Sequence, residues 1–151
     1  MCPAPPLLQL APAFLVAVMW PGAAAAHGYR IGALEITHPA IVEPHPGMNC
    51  TCAYLRIRNL GTATEYFLGA HVAAGRDTML LSVNQSRRNT GTEKKIAIAP
   101  GETIDLRHGW CLFISGLTER LEADLNVIAG ELLFESAGTI AIEFMIDPRR
   151  N

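Results

Sequence analysis

The chain has 151 residues, half of them hydrophobic and 17% charged, with a formal net charge of -2. That length suits one domain of ordinary size and leaves little room for a second. No Lys/Arg-rich run is present, which argues against a nucleic-acid partner and against a basic patch for an anionic membrane.

The first 29 residues contain no Asp, Glu, Lys or Arg. Residues 7–20 are mostly apolar, and Pro21-Gly22 leads into Ala23-Ala24-Ala25-Ala26. This reads as a secretory signal peptide over residues 1–26, leaving His27 as the first residue of a mature domain spanning 27–151. The segment before the apolar run, Met1-Cys2-Pro3-Ala4-Pro5-Pro6, lacks the usual positive charge. The competing reading is an uncleaved anchor, but Pro12 and Pro21 bound too short an apolar core for a comfortable span. Cleavage removes Cys2 and keeps Cys50, Cys52 and Cys111. An odd number in an oxidising compartment means one disulfide and a free thiol, or thiols kept for another purpose. Cys50 and Cys52 sit about 7 Å apart along an extended strand, which disfavours a bond between them. A bond from either one to Cys111 stays open.

Residues 27–36 lead into a first strand, Ala33-Leu34-Glu35-Ile36, expected to stop at His38-Pro39. Residues 40–48 hold Pro44, Pro46 and Gly47, so they are expected to run extended along the surface and then turn, with no helix. Residues 51–59 alternate, with Ala53, Leu55 and Ile57 on one face and Cys52, Tyr54, Arg56 and Arg58 on the other. That is the pattern of a half-buried strand, closed by an Asn59-Leu60-Gly61 turn. Further strands are expected over residues 66–72 and 78–83. Residues 84–95 are polar, with Asn89-Thr90-Gly91-Thr92 at their centre, and predict an exposed hairpin or longer loop. Alternation resumes in Ile96-Ala97-Ile98, breaks at Pro100-Gly101 and returns in Thr103-Ile104-Asp105-Leu106. After a turn at His108-Gly109, residues 110–114 predict a strand with Trp110, Leu112 and Ile114 on one face and Cys111 and Phe113 on the other. Residues 117–124 connect it to Leu125-Asn126-Val127-Ile128, followed by Glu131-Leu132-Leu133-Phe134-Glu135. A Ser136-Ala137-Gly138 turn then precedes a last strand over residues 139–146. Many short strands with turn signals about every 8–12 residues, and no helical stripe, predict an all-β domain, an antiparallel β-sandwich or Greek-key barrel.

No nucleophile elbow, phosphate loop, dinucleotide fingerprint or His-Glu-x-x-His zinc helix occurs, and carboxylates stand singly on strand faces and at turns. The expectation is a protein that is not an enzyme.

Taken together in order and spacing, several pieces carry a family resemblance. They are Thr37-His38-Pro39, Pro46-Gly47 before the Tyr54-Leu55 strand, the Asn59-x-Gly61 turn, Ala99-Pro100-Gly101-Glu102-Thr103, residues 109–117, and Phe134-Glu135-x-Ala137-Gly138-Thr139. The mature chain resembles the periplasmic copper chaperone family of the PCu(A)C type, over essentially its whole length. The resemblance implies a cupredoxin-like Greek-key β-sandwich or barrel. It also implies a periplasmic or secreted protein that binds Cu(I) and hands it to a cuproenzyme, typically cytochrome oxidase, or to another copper-transfer protein. No nucleic acid, and no membrane after cleavage, enters that picture.

The family's ligand motif is altered here. Its Gly-x-His-x-Met strand stands as Gly109-Trp110-Cys111-Leu112-Phe113, so Cys111 takes the His slot and Phe113 the Met slot. In Met79-Leu80-Leu81-Ser82, Leu80 and Ser82 align with the earlier His and Met slots, and the segment for a further Met is reduced to Thr92-Glu93-Lys94-Lys95. Cu(I) is soft and prefers thiolate, thioether and imidazole donors. On that chemistry Cys111, Met79 and His108 are the candidate copper ligands, and Cys50, Cys52 and Met48, with His45 nearby, form a second candidate cluster. His27, as a free N-terminus, offers an amine and an imidazole for Cu(II), or is simply an unordered end.

Each residue also has a structural role open to it. Cys111 can be a buried small hydrophobe or disulfide partner, Met79 core filler, His108 a solvated turn residue, and Trp110 a core residue rather than a cap on a metal. Two other functions stay open: a diverged member that has lost copper and serves as a periplasmic interaction module, and a thiol-disulfide protein using Cys50, Cys52 and Cys111.

Overall fold

The computed structural model describes residues 28–84, 89–122 and 127–149. The expected leader and His27 lie outside these residues. Among the described residues every regular element is a β-strand, and no helix is long and apolar enough to cross a membrane. In chain order the strands are β1 (Gly28–Ile31), β2 (Leu34–Val42), β3 (Cys50–Asn59), β4 (Glu65–Val72), β5 (Asp77–Asn84), β6 (Asn89–Thr92), β7 (Ile96–Ile98), β8 (Thr103–Asp105), β9 (Trp110–Ser115), β10 (Val127–Phe134) and β11 (Gly138–Asp147).

They form one sheet in the order β6-β5-β9-β3-β2-β11-β10-β4-β7, with β1 added to β2 and β8 to β3. Five strands separate β4 from β5 in that order, yet the two pack together. The sheet is therefore curled into a half-barrel around a single core. The expected all-β architecture is present, with one correction. β2 and β11 run parallel, while the other pairs among the described residues are antiparallel.

The alternation of β3 explains how the core is filled. Ala53, Leu55 and Ile57 are buried, whereas Arg56 and Arg58, on the opposite face, are exposed. Ile36, Ile41, Phe67, Ile98, Leu112, Ile114 and Phe144 join them, all fully enclosed. Each such side chain contributes about 1.5–3 kcal/mol relative to exposure.

One expected strand break is absent. β2 does not stop at His38-Pro39 but passes through them with a shift of register between Thr37 and Ala40. His38 has φ of 53°, and Pro39 has no N–H for the ladder, so the pair forms a bulge facing one residue of β3. The extra residue has a packing reason. Ile36 and Ile41 are an odd number of positions apart and would face opposite sides of a regular strand; the bulge lets both enter the core. It also aims the second half of β2 at β11, where Ile41 pairs with Ile146. The segments read as 125–128 and 131–135 join in the one strand β10 (Val127–Phe134). Gly130 is required there by close packing, since a Cβ would meet the Phe144 ring at 2.7 Å and the His71 carbonyl at 2.9 Å.

Glu65, at the start of β4, is buried. Its carboxylate accepts N–H groups from Tyr66 at 2.8 Å, Ser136 at 2.9 Å and Ala137 at 2.9 Å, tying the β10–β11 turn to the sheet. Burial alone pushes this carboxyl up, but the backbone donors outweigh it and hold the group below the ordinary carboxylate range.

Candidate copper site on the outer face of β3, β9 and β5

β9 lies between β3 and β5. Its core-facing residues Leu112 and Ile114 pair with Ala53 and Thr51 on one side and with Leu80 and Thr78 on the other. The alternate residues face outward. There Phe113 is flanked by Cys52 of β3 and Met79 of β5, and Cys111 lies opposite Leu81. The sequence alternation thus places Cys52, Cys111, Phe113 and Met79 on one face of three adjacent strands.

Cys52 and Cys111 are joined by a disulfide, with their Cα atoms 5.9 Å apart. That separation lies within the range a disulfide requires. Of the bonding patterns left open by the sequence, the structure thus adopts Cys52 with Cys111 and leaves Cys50 as a free, partly exposed thiol. Cys111 is buried, 4% exposed, whereas Cys52 is partly exposed. The disulfide lines a pocket of about 230 Å3 whose other walls include Tyr54, Leu81, Trp110, Phe113 and Arg107.

The turn before β9 is fixed by Asp105. Its carboxylate accepts the Arg107 N–H at 3.0 Å and the Arg56 guanidinium at 2.9 Å, and His108 Nδ1 lies 3.7 Å away. Partial burial pushes the Asp105 carboxyl up, but Arg56, the Arg107 N–H and His108 together hold it below the ordinary carboxylate range. Gly109 closes the turn with φ of 91°, a conformation natural to glycine, and its carbonyl accepts the Val83 N–H at 2.8 Å.

No family model matches the sequence, and no curated protein does. Solved structures do match. The copper-bound PCuAC domain from PmoF2 superposes at a TM-score of 0.71 with 18% identity, covering 82% of this chain and 99% of that one. The apo PCuAC domain from PmoF1 gives 0.70 and 22% identity, covering 82% and 100%. The Cu(I) form of DR1885 from Deinococcus radiodurans gives 0.62 and 17% identity, covering 82% and 83%. The chain has the PCuAC fold.

Seen on the PCuAC fold, the alignment of the altered motif needs one correction. Leu80 and Ser82 cannot share a site with Cys111 and Phe113, because Leu80 pairs with Leu112 and is buried in the core, and Ser82 pairs with Trp110. Strand alternation makes Met79 and Leu81 the β5 residues that face the same way as Cys111 and Phe113. Met79 is 41% exposed, so it is not core filler.

The candidate set Cys111, Met79 and His108 is only partly brought together. Cys111 and Met79 share the outer face, but the Cys111 sulfur is bonded to Cys52. His108 projects into solvent, its side chain 83% exposed beside Asp105, and is not part of the pocket wall. The second cluster is divided. Cys52 joins Cys111, whereas Met48 and His45 line a separate cavity of about 530 Å3 with Leu117, Arg120 and Arg149. Among the described residues no three His, Cys, Asp or Glu side chains come together as a metal cage. What β3, β9 and β5 bring together is the bonded pair of sulfurs, with Met79 on the same face but outside the pocket wall.

Tyr54, Leu81 and Arg107 line the pocket without being among the candidate ligands. Tyr54 was placed on the same strand face as Cys52 by alternation, so that signal was present. The pairing of β9 with both β3 and β5, which brings in Leu81, has no local sequence signal. Trp110 packs against the core and also borders the pocket.

Proposed function

We propose that this chain is a periplasmic or secreted copper-handling protein that takes up Cu(I) and passes it by ligand exchange to a cuproenzyme or another copper-transfer protein. The observation that carries this reading is the convergence of Cys52 and Cys111 on one face of the β3–β9–β5 surface, with Met79 on the same face. Thiolate and thioether are the donors Cu(I) prefers, and two thiols brought this close can share one soft ion. The fold supports it as well, since the similar domains include one described as copper-bound and one as a Cu(I) form. Export rests on the leader-like residues 1–26 and on the family resemblance.

A Cu(I) competition titration on the reduced mature protein, against a chromogenic chelator, tests the proposal. Binding tighter than about micromolar is expected, weakened in Cys111→Ala and Cys52→Ala, and to a lesser extent in Met79→Leu. Absence of such binding overturns it. The disulfide itself favours a second reading, a diverged interaction module in which the two cysteines only brace β3 against β9, and that negative result is what the second reading expects.

A further inference from the structure

We infer that the Cys52–Cys111 disulfide is the closed form of the copper site, and that an external dithiol reductant opens it by attacking the Cys52 sulfur. The inference rests on the copper reading above and adds the regulation of that site and the chemical class of the partner that controls it.

Three observations lead to it. Both sulfurs that would bind Cu(I) are consumed in one covalent bond, so a metal competes with that bond and not with protons alone. The two sulfurs are unequally accessible, Cys111 being 4% exposed and Cys52 partly exposed at the pocket. The remaining thiol cannot open the bond productively from within. Cys50 is free, but it lies two positions along an extended strand from Cys52, about 7 Å away, where a stable mutual disulfide is disfavoured. The reducing equivalents must therefore come from outside.

A thiolate of the reductant attacks Cys52 Sγ and forms a mixed disulfide, and the Cys52–Cys111 bond breaks with its electron pair leaving on Cys111 Sγ. The second thiol of the reductant then attacks its own sulfur in the mixed disulfide, closing the reductant's disulfide and releasing Cys52 as a thiolate. Two electrons and two protons pass from the dithiol to this protein. Cu(I) then displaces the two protons as it binds both sulfurs. Arg107 lines the same pocket, with its guanidinium held by Asp147 at 3.2 Å.

The test uses the oxidised mature protein carrying Cys50→Ser, so that one redox centre remains. It is treated briefly with reduced glutathione, quenched by alkylation and mapped by mass spectrometry. The expected product carries glutathione on Cys52 and the alkyl group on Cys111; glutathione on Cys111 overturns the assignment of the attacked sulfur. In parallel, Cu(I) affinity is measured for the oxidised and reduced forms of the unmutated mature protein. The oxidised form is expected to bind at least about 100-fold more weakly, because it has lost both thiolates. Equal binding by both forms overturns the gate and moves copper away from the two cysteines, leaving only a copper-handling role for the chain. Binding by neither removes the copper reading itself, and this inference with it.

Discussion

Reducing the Cys52–Cys111 bond should weaken the fold by an amount the topology specifies. The two cysteines are 59 residues apart in sequence, so the bond closes a large loop in the unfolded chain. For a loop of about 60 residues the entropy withheld from the unfolded state is about 14 cal/mol/K, or about 4 kcal/mol at 25 °C. The folded state loses little else, because Cys50 to Ala53 remain paired with residues 112–115 across β3 and β9. A domain of this size should melt roughly 15 °C lower when reduced. Urea unfolding of the mature protein, followed by fluorescence of Trp110, measures this directly, with and without a phosphine reductant. The midpoint should fall, and the dependence on urea should steepen as the unfolded chain expands. Cys50→Ser should leave the difference between the two forms intact. Coincident oxidised and reduced midpoints would refute the reasoning, because they would mean that the cross-link is absent or that the unfolded chain is already constrained without it.

Other consequences concern individual residues. Glu65→Gln should cost about 2–3 kcal/mol, since an amide presents a donor to one of three backbone N–H groups that now meet a carboxylate. The Glu65 carboxyl is held low in the fold, so its contribution is present above the unfolded carboxyl value and is lost as pH falls through the lower folded one. Acid unfolding curves should therefore show a flatter dependence in Glu65→Gln than in the parent. Gly130→Ala should destabilise by about 1–3 kcal/mol through collision with Phe144 and the His71 carbonyl, read from the urea midpoint. Phe113→Met puts a thioether between Cys52 and Met79 and beside Cys111, and should raise the Cu(I) affinity of the reduced protein by about tenfold, or about 1.4 kcal/mol; an unchanged or weaker affinity by chelator competition would place the copper elsewhere.

Much of the fold was legible because alternation reports burial strand by strand. The faces assigned to residues 51–59 and 110–114 are those observed, and the turns at Asn59-Leu60-Gly61 and His108-Gly109 stand where their residue types place them. A Pro usually ends a strand, but here the odd spacing of Ile36 and Ile41 calls for an inserted residue, a signal that was present in the sequence and more informative than the Pro. The joining of 127–128 to 131–134 in one strand depends on Gly130, whose reason, the Phe144 ring beside it, comes from a distant strand. The site was legible to the level of residue type. That Cys111 and Met79 belong to one face follows only from the register of β5 on β9, which is set by pairing between distant segments. His108 was near Cys111 in sequence, but Asp105 and the glycine turn direct it to solvent. The choice of Cys52 over Cys50 as the partner of Cys111 likewise depends on register across β3 and β9.

The central claim is that Cys52 and Cys111 together hold Cu(I) once their bond is reduced. X-ray absorption at the copper edge, on the reduced mature protein loaded with one equivalent of Cu(I), tests it most directly. At least two sulfur scatterers are expected in the first shell, with sulfur lost from it in a Cys52→Ala/Cys111→Ala variant. A first shell of nitrogen or oxygen alone, or a sulfur shell unchanged in that variant, would contradict it.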